Sequence, residues 1–312
     1  MKKITLFLCF CVVSAFCLSA SAQEKYTLKV QFPAGKYQNV IESDMDMTIG
    51  MPGQTAKMPM KQKHTQYMTL DAAPKAKDGT QKIVMENTRI AMETKSAFAN
   101  MKFDSDNPDD AASPIKAAGA MVGMKMTMTF KDGKVVKVEG IEEFFEKLTN
   151  NPDYPKQTAD MLKKQFSNEA MTKNFDAQHE AMPSKPVAVG EEWKTETTTE
   201  IPVLGKVNAV LNNTLKEVKD ENGKKVAVII SKADMKSTEP KDVDTGPAKM
   251  TFTKVDIDTT TTFTLELETG LVQSTVADIK MEMEMNLEAA GQTMQQQMSG
   301  TGTTTSTLKP MK

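Results

Sequence analysis

Over long stretches of this chain every second residue is apolar, and the side chain most often used there is methionine. From Tyr37 to Met51 the residues Tyr37, Ile41, Met45, Met47, Ile49 and Met51 fall on one side of an extended backbone. Glu42, Asp44, Asp46 and Thr48 fall on the other. Past the turn signal Pro52-Gly53-Gln54 the pattern resumes, with Met58, Met60, Met68 and Leu70 opposite Lys57, Lys61 and Lys63. Successive side chains of a strand point to opposite faces, whereas apolar positions on a helix recur about every 3.6 residues. The alternation therefore predicts half-buried strands, here a long antiparallel hairpin.

The same reading predicts strands at Gln81–Thr94, Met121–Phe130 and Lys134–Glu139, the last two joined by the tight turn Lys131-Asp132-Gly133. Between Ile141 and Met182 the spacing changes. Ile141, Phe144, Phe145 and Leu148 recur at helical intervals, as do Leu162, Phe166 and Ala170, with Asn150-Asn151-Pro152-Asp153 between the groups. Two or three helices are expected there. Alternation returns at Glu192–Ile201, Lys206–Lys219, Lys225–Lys232, Met250–Glu268, Leu271–Leu287 and Thr293–Leu308. The organisation expected is residues 1–22 as a leader, 23–140 and 183–312 as two β-rich halves of one compact unit, and 141–182 as a central helical insert. The halves echo one another. Gly35-Lys36-Tyr37 resembles Gly190-Glu191-Glu192-Trp193, Asp78-Gly79 matches Asn222-Gly223, and the turn at Asp132-Gly133 matches Thr269-Gly270. A local echo sets Met45-Asp46-Met47, leading to Gly53-Gln54-Thr55, against Met283-Glu284-Met285, leading to Gly291-Gln292-Thr293. These matches point to a degenerate duplication.

Residues 1–22 combine Lys2 and Lys3, an apolar run from Ile4 to Leu18 and the small-residue end Ala20-Ser21-Ala22, which reads as a bacterial export signal cut before Gln23. Phe16 directly before Cys17 argues against a lipid-anchor site. All three cysteines, Cys9, Cys11 and Cys17, leave with that segment, so thiol catalysis, disulfides and Cys-ligated metals are excluded from the mature chain. With Lys2 and Lys3 set aside, acidic residues outnumber basic ones by four (41 against 39 less two), and Arg89 is the one arginine. Nucleic acid is not an expected partner. No later apolar run approaches the roughly 20 residues of a membrane-spanning helix, so a periplasmic or extracellular protein, soluble after cleavage, is expected.

The feature closest to a site is the methionine alternation at Met45 and Met47, Met58 and Met60, Met124, Met126 and Met128, and Met281, Met283 and Met285. Three readings follow. These residues can fill an ordinary sheet core, since a flexible thioether fits irregular gaps. They can line an adaptable groove for a hydrophobic or lipid-like ligand. Or they can bring soft thioether sulfurs together on copper(I), with His64, on the same face, as companion ligand. The acidic turn Asp104-Ser105-Asp106-Asn107-Pro108-Asp109-Asp110 has a loose calcium-loop spacing but lacks the glycine and the closing glutamate, and a solvated turn is expected. His179 is expected at an exposed helix end. No nucleophile arrangement, phosphate loop or dinucleotide fingerprint occurs, and Gly119-x-x-x-Gly123 lacks the strand–turn–helix context such loops need. The carboxylates are scattered over outer faces, so no catalytic residue and no cofactor are nominated.

The Tyr26-Thr27-Leu28-Lys29-Val30 start, Gly35-Lys36-Tyr37, the Met-Asp-Met strand, Phe103-Asp104-Ser105 and Asp132-Gly133-Lys134-Val135-Val136-Lys137-Val138-Glu139-Gly140 resemble a family of uncharacterised exported bacterial β proteins, a domain of unknown function rich in Met-x-Met strands. The resemblance implies no activity or catalytic residue. More remotely, the expected strands around a helical insert are similar to the open half-barrels of periplasmic lipoprotein carriers. The fold expected is mainly β (α+β), with antiparallel curved sheets or a half-barrel built from two related halves. Phe144, Phe145, Leu148, Leu162 and Phe166 are expected to bury against the methionine face. The function expected is non-enzymatic: binding of a hydrophobic or lipid-like ligand, with soft-metal binding or a structural envelope role as alternatives.

Overall fold

The alternating segments fold as long strands. The computed structural model describes residues 23–50, 57–97, 99–107, 109–110, 116–150, 163, 167–168, 171–172, 181–201, 205–237, 241–244, 248–289 and 292–311. The leader, the tip of the first hairpin, the Ala290-Gly291 turn, His179 and the helix-spaced Leu162, Phe166 and Ala170 lie outside the described residues. In chain order the strands are β1 (Lys25–Tyr26), β2 (Gly35–Gly50), β3 (Lys57–Ala72), β4 (Thr80–Ser96), β5 (Asn100–Asp104), β6 (Lys125–Lys131) and β7 (Lys134–Glu139). After helix α1 (Ile141–Thr149) come β8 (Val187–Ala188), β9 (Glu192–Ile201), β10 (Gly205–Glu221), β11 (Lys224–Ser237), β12 (Lys241–Asp244), β13 (Ala248–Glu266), β14 (Val272–Ala289) and β15 (Gln292–Pro310).

Thirteen strands form one sheet in which β7-β6-β4-β3-β2-β15-β14-β13-β11-β10-β9 stand in a row, with β5 on β4 and β12 on β13. Strands β1 and β8 pair separately. The sheet is antiparallel, curved and not closed. Its middle is built from the two ends of the chain, since β2 pairs with β15 from Tyr37 opposite Pro310 to Gly50 opposite Gln297. Eleven antiparallel strands in a row leave both edge strands running in the same sense. Strands β7 and β9 could therefore meet only as a parallel pair, which breaks the hydrogen-bond pattern of the rest.

Two tight turns follow the sequence signals directly. Asp132-Gly133 between β6 and β7 has φ of 52° and 83°, and Asn222-Gly223 between β10 and β11 has 54° and 80°. Positive φ at both central residues is what a two-residue hairpin needs, and it is why Asp or Asn precedes Gly there.

One face of the sheet, here the inner face, carries a cover over its lower part. The segment leading from β1 to β2 lies across it as a strap. Leu28 is buried among Leu215, Ala227, Ile229 and Leu265, the Gln31 amide donates to the Gly270 carbonyl at 2.7 Å, and Gln81 Nε2 donates to the Phe32 carbonyl at 2.7 Å. Gly270 has φ of 74°, and a Cβ there would stand 2.6 Å from the Lys29 carbonyl oxygen, so this turn takes glycine for both reasons. Beside the strap, Ile141 and Phe145 of α1 pack on Met124, Met126, Met128, Val135 and Val138.

The expected central helical insert is corrected on this point. The one α-helix among the described residues that forms a full element is the nine-residue α1. The Thr149 hydroxyl donates back to the Phe145 carbonyl at its end, and Asn150-Asn151-Pro152 follows. Phe145 is buried and Phe144 half-buried against Met124, Met126 and Met128, as expected, but the extended chain from 23 to 34 also covers the sheet, through Leu28 and Phe32. A strap can do this because its backbone groups find partners on the sheet and its turns. The reading of Met121–Phe130 as one strand is also corrected: Lys116–Met121 is a 3₁₀ turn, and the strand starts at Lys125.

Candidate functional site

Following the pairing register across the sheet sorts the inner face into rows of directly opposed residues. The lowest of five rows reads Leu215, Ile229, Phe263, Thr275, Ser306, Ile41, Gln66 and Ile90, its Leu215 and Ile229 end lying under the strap. Above it stand Asn213, Ser231, Thr261, Ala277, Thr304, Ser43, His64 and Met92, then Leu211, Ala233, Thr259, Ile279, Gly302, Met45, Gln62 and Thr94. The fourth row is Ala209, Met235, Ile257, Met281, Gly300, Met47, Met60 and Ser96, and the fifth Val255, Met283, Met298, Ile49 and Met58. None of the five rows contains Asp, Glu, Lys or Arg.

The charges stand on the intervening outer rows, densest on the upper ones. One reads Lys232, Thr260, Asp278, Thr303, Asp44, Lys63 and Glu93, with Lys63 on Asp44 at 3.0 Å; in the next, Lys61 meets Asp46 at 2.9 Å. A uniform period of two separates the charges completely from the inner face. That face is nonetheless mostly half-buried, from Ile41 and Gln66 up to Ile49 and Met58.

The ten methionines expected as a site divide into three groups. Met124, Met126 and Met128 are enclosed with Phe145 and Val138, so their surroundings are those of core. Met283 and Met285 are buried beside Phe252 and Val255, while Met45, Met47, Met58, Met60 and Met281 are half-buried on the upper rows. Met47 stands directly opposite Met60. A Cβ placed on Gly302 would overlap the Met45 sulfur and stand 2.5 Å from the Asp44 carbonyl oxygen, and one on Gly300 would be 3.0 Å from Met47 Cγ. Met45 and Met47 thus lean over the glycines of β15, away from His64 on β3. For His64 to serve as a companion ligand in the copper reading, the Met45 sulfur would have to turn toward β3.

The second row is the polar one. The Thr304 hydroxyl donates to Ser43 Oγ at 3.1 Å, and one row below, Ser306 Oγ donates to Asn39 Oδ1 at 2.9 Å. His64 is half-buried, and burial pushes its imidazole below the ordinary histidine range. Asn213 is 2 % exposed, and its amide nitrogen has no acceptor. Asn87, at the fork where β4 exchanges β6 for β5, accepts from Gln66 Nε2 at 2.6 Å and likewise has an amide nitrogen without an acceptor.

The acidic turn carries a different partner from calcium. Arg89 binds Asp104 through both carboxylate oxygens, at 3.0 and 2.6 Å, reaches Asp106 at 3.4 Å, and lies 5.2 Å from the centre of the Tyr67 ring. The guanidinium hydrogen bonds hold the Asp104 carboxyl below the usual carboxylate range. A cation already occupies the loop, and it is the chain's one arginine. On the outer face Asp234, Asp256 and Asp258 approach within 4.8 Å of one another, but the Lys236 ammonium sits 3.0 Å from Asp234 as their counter-ion.

A family model described as "Family of unknown function (DUF6263)" matches residues 78–272. The chain belongs to this family. The matched range runs from the turn before β4 to the start of β14; it includes Asn213, Ser231 and Thr261 of the polar row and leaves β2, β3 and β15 outside. No curated protein matches the sequence. Among solved structures, lipovitellin, described for its lipid–protein interactions, is 7 % identical with a TM-score of 0.46 over 89 % of this chain and 25 % of its own, so the chain spans a quarter of that protein's length. The β domain of the Bordetella autotransporter BrkA is 5 % identical, with a TM-score of 0.25 over 85 % and 98 %. A DUF1329 family protein from Desulfovibrio piger is 10 % identical, with a TM-score of 0.14 over 84 % and 83 %. No helix among the described residues is long and apolar enough to cross a membrane.

Sequence reading missed the polar row. Its members come from eight strands and form no motif. The available signal was a negative one: Ser43, Gln62, His64 and Gln66 interrupt the apolar face of their strands without ever introducing a charge.

Proposed function

We propose that the protein binds a hydrophobic, lipid-like ligand on the inner face of its sheet and acts as a non-enzymatic binding protein of the bacterial envelope. The observation that carries this reading is the five-row neutral surface, half-buried along β15, β2 and β3, while the charges stand on the outer face. A finished core would bury such residues fully, and methionine suits a surface that must re-pack around a flexible chain. The export-type leader read in residues 1–22 supports a site outside the cytoplasm. The matching order of turns in the two halves, with Asp132-Gly133 and Thr269-Gly270 each closing a hairpin, supports descent by duplication.

The test is native mass spectrometry and organic extraction of protein purified from a bacterial periplasm, followed by titration with a pyrene-labelled acyl lipid while Trp193 emission is recorded. A copurifying or saturably bound lipid is expected. Repeated recovery without lipid, together with no saturable uptake of the probe, would overturn the reading.

A further inference from the structure

We infer that the ligand is a neutral acyl lipid, with its hydrocarbon on the methionine rows and an uncharged hydrogen-bonding head at Ser43, His64 and Thr304. This rests on the lipid-binding reading above and narrows its class.

The first argument is charge. Moving across the polar row from β10 to β4 meets no ammonium or guanidinium, and the rows directly above and below contain none either. A carboxylate or phosphate head seated there would lose its water without gaining a counter-ion, which is strongly unfavourable. His64 supplies no cation near neutral pH, because burial disfavours its protonated form. Its register neighbours are Ser43, Met92, Gln62 and Gln66, none of which is charged.

The second argument is hydrogen bonding. Ser43, His64 and Thr304 stand side by side and half-buried on this row, with the Thr304 hydroxyl donating to Ser43. Half-buried hydroxyls and a neutral imidazole favour a partner that hydrogen-bonds without charge, and an ester carbonyl or hydroxyl is such a group. The third is length. From His64 to Met58 is six residues along β3, about 20 Å at roughly 3.4 Å per residue, a span suited to a common fatty-acyl chain laid along the strands.

The experiment compares two probes that share a chain and differ in head charge: glycerol monopalmitate and palmitate, each titrated into the purified protein at pH 8 and read by native mass spectrometry. The expected result is that monopalmitate binds at least about tenfold more tightly. Equal or tighter binding of palmitate overturns this inference and leaves lipid binding standing; failure of both probes overturns the two together. Gln62→Lys and His64→Lys each add a cation to the head region. In whichever variant keeps the far-ultraviolet spectrum and Trp193 emission of the parent, the preference is expected to shift toward palmitate by about tenfold, and an unshifted preference removes the head group from this row. If neither variant folds, the two-probe comparison on the parent protein decides alone.

Discussion

Gly302 provides the most direct check on how the inner face is packed. Glycine inside a strand normally weakens it, and replacement by alanine where space allows stabilises a protein by about 0.4–1 kcal/mol, by restricting the unfolded chain. Gly302→Ala is expected to do the opposite. The new Cβ would overlap the Met45 sulfur and stand 2.5 Å from the Asp44 carbonyl oxygen, against an ordinary carbon contact of about 3.5–4.0 Å. The sulfur can swing aside, but the carbonyl belongs to the β2–β15 ladder and cannot move without straining it. Overpacking of this kind costs about 1–3 kcal/mol, so the net loss is about 1–2 kcal/mol, or about 2–8 °C in Tm at roughly 2–4 °C per kcal/mol for a large domain.

Gly50→Ala is the internal control, because its Cβ would meet nothing nearer than the Gln297 carbonyl at 3.7 Å. That variant should match or exceed the parent. Thermal and urea unfolding, followed by Trp193 emission, give both values. In a Met45→Ala background the loss from Gly302→Ala should shrink without vanishing, since the carbonyl contact remains. A Gly302→Ala protein as stable as the parent, or an equal fall for both glycine variants, would refute the close packing of β2 on β15.

Three further outcomes follow from the geometry. Leu28→Ala, which opens a cavity beneath the strap at a residue 2 % exposed, should cost about 2–5 kcal/mol in urea unfolding; a loss under about 1 kcal/mol would mean the strap is not part of the core. Asp104→Asn should cost about 1 kcal/mol, a low figure because Arg89 is one-third exposed, and millimolar calcium should leave the parent Tm unchanged; a rise of several degrees would show an ion site where the arginine is placed. His64 should titrate below the ordinary histidine value of about 6.5 by NMR. Because its folded pKa is depressed, the unfolded chain takes up the proton first as pH falls, so the stability His64 contributes above pH 6.5 is lost below it. His64→Gln should flatten stability against pH across that window, and an unchanged slope would assign the effect elsewhere.

The strands were legible in the sequence because a strand's period of two is local. β7 and β9 begin and end where alternation placed them, at Lys134–Glu139 and Glu192–Ile201, and the Asp-Gly and Asn-Gly turns declare their own positive φ. The short strands β1, β5, β8 and β12 escaped notice, since two to five residues are too few to establish a period. Of the expected helical insert, the first group of helix-spaced residues forms α1, while Leu162, Phe166 and Ala170 lie outside the described residues. Arg89 looked unremarkable until the fold carried Asp104 and Asp106 against it.

Alternation within each strand already determined that one face would be neutral and the other charged, since neighbouring side chains must point apart. Which neutral residues stand beside one another was decided by the tertiary structure alone. Ser43 meets Thr304 and His64, and Asn213 joins the same row, through strand pairings that span up to 261 residues of chain. Such pairings depend on register, which comes from burial of the whole face and closure of the chain ends against each other rather than from any local preference. The methionines were visible as a pattern. Their division into enclosed core at Met124, Met126 and Met128 and half-buried surface at Met45, Met47, Met58 and Met60 arose only when the strap and α1 settled on the lower part of the sheet.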